Sequence, residues 1–470
     1  MALPPADGPQ HPFESDHRRH AVWQLEDPEH TNVIALWPDD TPPSRMEVLA
    51  AFANAAGESV KVLDDVGEHS PDFEWASIVE VPGFERPMAV WTERARPMSP
   101  EELEVAGGVQ CPWIVGVEAM LEVVDPLRDF AGLVRLMLRG LPDAPAMLDV
   151  TTSRWSPRSV LEALFEHESV EPPADVLWVV EARRKPAEDG ADDEGIWLRT
   201  RGLGRCGRPE LEMIGVPDDT SDSAAVMLNG LCSMLFEAEP PHPGEPWQVG
   251  HEIRVALIPA DVIVDARPDE ALGGTSIRDR FPTTPSAVVC DVDDDAPVVS
   301  PAWPETGLDL MDQSATHGLF WTERATRRQS DLARAGWDQF ATAWAAVRQA
   351  GVHEGDDPPA LFGLKAGCAI EGRPELNHEH VWFRVHGFSG HQVDAELVND
   401  PVHSVGITRG ERMQIAPDRV ADWVVVTRDG SYGPADLEAM WTAIDRLRHR
   451  AVPAEDASAV SLGGEPSDGE

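Results

Sequence analysis

The stretch NHEHVWFRVHGFSGHQVDAELVNDPVHSVGITRGERMQIAPDRVADWVVVTRDGSYG, Asn377 to Gly433, decides how the C-terminal part of this chain folds. Val381, Phe383 and Val385 alternate along one segment, and Val393, Ala395 and Leu397 along the next. A period of two sends successive side chains to opposite sides of an extended backbone, so each segment reads as a strand with one buried face. The turn sets the pairing. A two-residue Ser389-Gly390 loop would set Val385 against Asp394 and Phe383 against Glu396, mixing core and solvent faces. A three-residue loop, Ser389 to His391, sets Val385 against Ala395 and Phe383 against Leu397, with Arg384 facing Glu396 and His386 facing Asp394. The second register is preferred, because a slip of one residue inverts every side chain and three-residue loops containing Gly are common in hairpins.

The segments Glu379-His380-Val381-Trp382, Leu397-Val398-Asn399-Asp400-Pro401, Gly410-Glu411 and Val420-Ala421-Asp422-Trp423 follow one another in a recognisable order. In that order and spacing they resemble the YegJ-like bacterial domain, a family described only as a domain of unknown function. The resemblance covers about 55 residues, 377–433, with Ala395 where the family usually has Gly and Glu411 where it often has Asp. The whole chain also resembles a larger uncharacterised bacterial family that carries this domain at its C-terminus, chiefly through Gly202–Glu212. The resemblance implies a fold unit and lends no activity.

At 470 residues the chain is long enough for two to four domains with their own cores. Its 83 acidic residues against 38 basic ones leave a formal charge of -45, which repels nucleic-acid backbones and anionic membranes. Lys61, Lys185 and Lys365 are the only lysines, so nearly all positive charge is Arg. Such acidity serves solubility, and it also suits a basic protein partner. The N-terminal sequence lacks the apolar core of a signal peptide, and no run of about 18 apolar residues exists to span a bilayer. The five scattered cysteines, Cys111, Cys206, Cys232, Cys290 and Cys368, form no paired motif and suit reduced thiols in a cytoplasmic protein.

Residues 1–30, rich in Pro and His, read as a disordered tail in which His11, His17, His20 and His30 have no scaffold on which to hold a metal. An N-terminal α+β domain, 31–148, opens with the strand Asn32–Trp37. Capping boxes follow at Ser44/Glu47 and at Ser99/Glu102. The helix after Asp125-Pro126 carries Phe130, Leu133, Val134, Met137 and Leu138 on a face suited to covering a sheet. A middle α+β domain, 149–265, contains Gly202-Leu203-Gly204-Arg205-Cys206-Gly207, which has the spacing of a dinucleotide-binding loop. That reading fails, because a phosphate loop must open a helix, whereas Pro209, Gly215 and Pro217 leave room only for a short strand. Cys206 lies between Arg205 and Arg208, a setting that lowers a thiol pKa, yet no base is tied to it, so an inert thiol is preferred.

Residues 266–318 read as a Pro/Asp-rich linker. There Asp291, Asp293 and Asp295 alternate, but the Gly and distal Glu of a calcium loop are missing. A single helix is expected from Trp321 to Ala350, within a unit of 319–450 that contains the YegJ-like stretch and ends in a helix over Pro434–Arg450. The acidic tail 451–470 reads as disordered. One phrase, Gly250-His251-Glu252 to Pro259-Ala260-Asp261-Val262, echoes Gly410-Glu411-Arg412 to Pro417-Asp418-Arg419-Val420 and hints at a distant repeat.

The expected architecture is therefore multi-domain α+β, with antiparallel sheets flanked by helices and a small bent sheet or open barrel at the C-terminus. No nucleophile-base arrangement or phosphate loop is present, and no catalytic residue, metal ligand or cofactor is assigned. The expected binding surface is His380, Trp382, Arg384 and Trp423, residue types that concentrate interface energy. It would meet an unidentified protein partner, a basic one suiting the chain's charge, with no nucleic acid and no membrane involved. The alternative from another class is a metal-dependent hydrolase centred on Glu379 and His380, drawing on the nearby His378, His386, His391 and His403.

Overall fold

The computed structural model describes residues 23, 25, 28–65, 73–166, 170–185, 195–238, 240–250, 252–265, 267–278, 285–292, 302–313, 318–350, 359–369, 378–390, 392–401 and 406–451. The architecture is α+β, and the chain divides into two compact units, Met1–Thr322 and Glu323–Glu470.

The first unit contains two sheets. The elements of its first half are β1 (Thr31–Trp37), α1 (Arg45–Ala56), β2 (Lys61–Asp65), β3 (Trp75–Glu80), β4 (Met88–Arg94), α2 (Pro100–Val105), β5 (Trp113–Ala119), α3 (Pro126–Gly140), β6 (Ala146–Asp149), β7 (Arg154–Pro157) and α4 (Arg158–Phe165). The seven strands form an antiparallel sheet in the order β2-β3-β4-β5-β1-β6-β7. Both capping boxes form: Ser44 and Ser99 each accept from the backbone N–H three residues on, and Glu47 and Glu102 reach back to the cap N–H. Phe130, Leu133, Val134, Met137 and Leu138 of α3 are all buried in the main apolar cluster, beside Val115 and Val117 of the sheet. Gly140, the last residue of α3, lets Phe52 of α1 approach; a Cβ there would meet its ring at 2.6 Å.

The second half contributes β8 (Val179–Arg183), β9 (Ile196–Arg201), β10 (Glu210–Val216), α5 (Ser221–Glu237), β11 (Trp247–Gln248), β12 (Arg254–Pro259), α6 (Ala260–Val264), α7 (Thr275–Arg278), β13 (Ser286–Asp291) and α8 (Glu305–Gln313). The sheet order is β11-β12-β13-β10-β9-β8, antiparallel except where β10 meets β13. Thus the stretch expected to be a linker supplies an inner strand. Ala287, Val288, Val289 and Cys290 are all fully buried, because the short apolar run is covered on both faces. One apolar cluster extends from Val33 and Met147 of the first sheet to Leu211, Leu257 and Val289 of the second. Trp23, expected in a loose tail, is buried in the same cluster, and its indole N–H donates to the Pro241 carbonyl at 2.5 Å.

The second unit comprises α9 (Glu323–Ala335), α10 (Trp337–Gln349), β14 (Ala360–Ala369), β15 (His378–Ser389), β16 (Gln392–Leu397), β17 (Arg412–Ile415), β18 (Val420–Thr427), β19 (Gly430–Tyr432) and α11 (Leu437–Ala451). Its six strands make an open antiparallel sheet, β17-β16-β15-β14-β18-β19. The single helix expected over 321–350 is two, divided at Gly336, where a Cβ would meet Trp423 at 2.9 Å. Phe340 of α10 is the hub of the core, its ring centroid 5.0 Å from Trp423 and 5.5 Å from Phe362. The proposed echo between the middle and C-terminal parts does not extend to topology: Pro259 leads into a helix, whereas Pro417 opens one 3-10 turn and then a strand.

The β15–β16 register places Phe383 against Leu397, Arg384 against Glu396 and Val385 against Ala395, as the alternation predicts. Beyond Val385 the pairing shifts. Gly387 faces Asp394, and the last pair is Ser389 with Gln392, so the turn is one residue shorter than expected. His386 is the extra residue of a β-bulge. The bulge preserves the buried faces of both strands while admitting the shorter turn. The expected pairing of His386 with Asp394 is replaced: His386 Nε2 lies 2.8 Å from Glu396 Oε2, and Asp394 pairs with Arg412 at 2.9 Å.

Candidate functional site

The glycine loop of the first unit is a turn between β9 and β10, with Gly202 at φ 120° and Gly207 at φ 70°. Only glycine holds such values without strain. The amides of Gly202 and Gly204, which in a phosphate loop would face a ligand, donate instead to Glu210 Oε1 at 2.8 and 3.2 Å. Thr200 Oγ1 donates to the other oxygen of Glu210 at 2.7 Å. On the outside the loop is covered by the N-terminal segment: Leu25 N–H donates to the Gly207 carbonyl at 2.8 Å and Glu29 N–H to that of Gly204 at 3.1 Å. The chain's own carboxylate therefore occupies the place of an anion, and a backbone strap closes the other side.

Two further buried charges surround this loop. The Arg205 guanidinium, fully buried, forms a two-pronged pair with Asp149 at 3.0 and 2.7 Å, donates to the Leu177 carbonyl and lies 4.6 Å from the Phe130 ring centre. Glu212, also fully buried, accepts from Trp197 Nε1 at 3.0 Å and from both terminal nitrogens of Arg278, one of them at 2.8 Å. Burial raises the Glu210 carboxyl pKa against the pull of its donors. It also pushes the Cys206 thiol up to about 12, overriding Arg205 and Arg208, so this thiol is protonated and inert at neutral pH. All five cysteines are free and buried.

The second unit presents a different surface. His380, Trp382 and Arg384 share one face of β15, opposite to Val381, Phe383 and Val385, which are buried. His380 and Arg384 are exposed and Trp382 is half-buried. Across β14, Lys365 lies opposite Trp382 and Gly363 opposite Arg384; Lys365 Nζ is 5.9 Å from the Trp382 ring centre. A Cβ at Gly363 would stand 3.0 Å from Val424 of β18, so the glycine makes room for Val424, while the Trp382 ring lies at ordinary contact distance, 3.7 Å. The half-exposed Val398 and Val426 extend the apolar area. Arg384 makes no hydrogen bond or ion pair with any described residue; its cross-strand neighbour Glu396 bonds to His386 instead. The Trp382 backbone is fixed on the edge side, where its N–H donates to Asn399 Oδ1 at 2.9 Å.

Trp423 does not belong to this surface. It is fully buried on the opposite face, and its indole N–H donates to the Ala333 carbonyl at 3.1 Å. The residue of β18 on the Trp382 side is Asp422, opposite Lys365. Burial raises the Asp422 carboxyl pKa, opposed by the Gln329 amide, the Trp423 N–H and the Lys365 charge. Parity could have revealed this: in Val420-Ala421-Asp422-Trp423-Val424-Val425, placing Asp422 toward water places Trp423 in the core.

The hydrolase alternative loses its geometry as well. Glu379 and His380 are adjacent on a strand, so their side chains leave opposite faces and cannot converge on one ion. Among the described residues no group of three or more His, Cys, Asp or Glu is placed to hold a metal. His11, His17, His20, His391, His403, Asp293 and Asp295 lie outside the described residues, as does the side chain of His378. His30 is described, 2.8 Å from Glu118. No described helix is long and apolar enough to cross a membrane.

Two protein families match parts of the chain. Residues 185–290, which include the glycine loop and β9 to β13, match the C-terminal part of a protein of unknown function, DUF4026. Residues 357–452, which include the sheet carrying Trp382, match an uncharacterised protein conserved in bacteria, DUF2314. The C-terminal sheet is thus similar to a bacterial domain of unknown function. No curated protein and no solved structure matches the chain.

Proposed function

We propose that the C-terminal unit is a YegJ-like, non-enzymatic binding module whose contact surface is the open sheet face around Trp382, Arg384 and His380. The observation that supports this reading is an exposed guanidinium with no partner among the described residues, on the same strand face as the half-buried Trp382 indole. An aromatic ring and an Arg, fixed on a rigid sheet and ready for desolvation, are the side chains on which interface energy concentrates. The partner is a protein. With 83 acidic residues in the chain, a basic partner is drawn in by long-range attraction, as an immunity-type protein would draw a basic toxin in the cytoplasm.

The test is affinity capture from the native host's lysate with wild type and a Trp382→Ala, Arg384→Ala double variant, both first shown to be folded. The expected result is one protein recovered near one-to-one with wild type and lost with the variant. Equal recovery by the two proteins, or no partner with either, sinks the proposal. Zinc added to both proteins serves as a control, and His380→Ala is expected to leave metal content unchanged.

A further inference from the structure

A cavity of about 250 Å³ opens on the first unit between α3, the end of α1 and the turn that joins β3 to β4. One wall is charged. Arg128, Arg135 and Arg139 stand at offsets of seven and eleven residues on α3, which return to within about 40° of one another around a helix axis. Gly132, between them on the same stripe, carries no side chain to fill the space. The facing wall is apolar or bare backbone: Ala55 and Ala56 at the end of α1, then Pro82 and Gly83, with the Phe84 ring at the base against Gly132.

The charge balance of this cavity is opposite to that of the chain. Asp129 is the one carboxylate in its lining; it accepts from the Glu122 N–H at 2.8 Å, and burial raises its pKa above the ordinary carboxylate value. Arg135 is held in place by donating from Nε to the Phe165 carbonyl at 2.5 Å, while Arg128 and Arg139 are exposed. Three guanidiniums thus share a small concave space in a protein of formal charge -45. Phe84, Leu136, Pro82 and two alanines supply its apolar lining.

We propose that this cavity binds a small organic anion, a phosphate or carboxylate head carried on a flat apolar body. The head would meet the planar forks of the arginines, which match both groups in geometry. The body would lie against Phe84 and the alanine wall. At 250 Å³ the space is below the roughly 300 Å³ at which drug-sized pockets begin, so the ligand is small.

Calorimetric titration of the full chain with phenyl phosphate and with benzoate tests this, at low and at high salt. Wild type is expected to saturate at one equivalent with at least one probe, and the tighter probe identifies the head group. Arg128→Gln, Arg139→Gln is expected to weaken binding by about tenfold or more, since the loss of even one charge-assisted hydrogen bond amounts to about tenfold. Arg409→Gln, Arg428→Gln, with the same change in net charge on the other unit, is expected to bind as wild type does. Phenylglyoxal labelling of the wild-type protein gives a second reading independent of any variant's folding: the bound probe should slow modification at Arg128 and Arg139 and not at Arg409. No saturable heat with either probe, equal weakening in the control variant, or unprotected Arg128 and Arg139 would each overturn the proposal.

Discussion

Strands β10 and β15 carry the same kind of pattern and put it to opposite use. In β10 the charged positions Glu210 and Glu212 alternate with Leu211 and Met213, and both faces are dry. In β15 the polar positions His380 and Arg384 alternate with Val381, Phe383 and Val385, and only one face is dry. Alternation alone says that two faces differ, not that one of them is wet. What distinguishes them is supply: β10 has three donors for Glu210 and the Trp197 and Arg278 donors for Glu212, whereas Arg384 has no hydrogen-bonding or ionic partner among the described residues. A buried charge survives only where such partners meet it.

The largest effect expected from this contrast lies around the buried charges. Arg205→Met strands Asp149 without its two-pronged partner and should cost the first unit about 3–5 kcal/mol in urea unfolding. Arg205→Met combined with Asp149→Leu should cost less than the single change, because no lone buried charge remains. A double variant as unstable as the single one would show that the pair is not coupled.

Next in size is the comparison of two tryptophans on opposite sides of one sheet. Trp423→Ala empties a fully buried site and should cost about 3–5 kcal/mol. Trp382→Ala, on the half-exposed face, should cost below about 1 kcal/mol. Similar losses in chemical denaturation would break the division into a core face and a contact face.

A smaller effect concerns pH. The folded pKa of Glu210 is raised above its ordinary 4.5 by burial, so the native state holds that proton more tightly than the unfolded state. Its stabilising contribution is complete below pH 4.5 and is lost as pH rises through the folded value. Glu210→Gln removes the titration. The melting temperature of wild type, measured relative to this variant, should therefore fall as pH is raised from 4.5, and a constant difference would place the carboxyl's donors above its burial in importance.

The smallest expected effect is no reaction. All five thiols are buried, and a Cys206 pushed up to about 12 is not a thiolate at neutral pH. A thiol reagent should label none in the native protein and five after unfolding. Rapid native labelling of Cys206 would restore the reactive reading that Arg205 and Arg208 suggest on sequence alone.

Much of the local structure was legible. Both capping boxes, the apolar face of α3 and three cross-strand pairs of the β15–β16 hairpin follow from residue spacing, since each depends on neighbours a few positions away. The bulge at His386 was not, because it depends on a turn one residue shorter than the alternation suggests and on Glu396 to receive the imidazole. Of the surface residues, His380, Trp382 and Arg384 do share one strand face. Trp423 does not, because it alternates with Asp422 along β18 and so points into the core.

By itself the sequence determined where the capped helices α1, α2 and α3 begin, which segments alternate, and that the glycine loop cannot open a phosphate-binding helix. Tertiary structure alone decided which alternating faces are dry. Glu210 and Glu212 are buried because glycine amides, Thr200, Trp197 and Arg278 converge on them from separate elements, while the face of β15 with Trp382 and Arg384 has no covering layer among the described residues of its unit. Burial of a polar side chain depends on the partners that folding delivers to it, and those lie outside the local pattern that a strand's own residues encode.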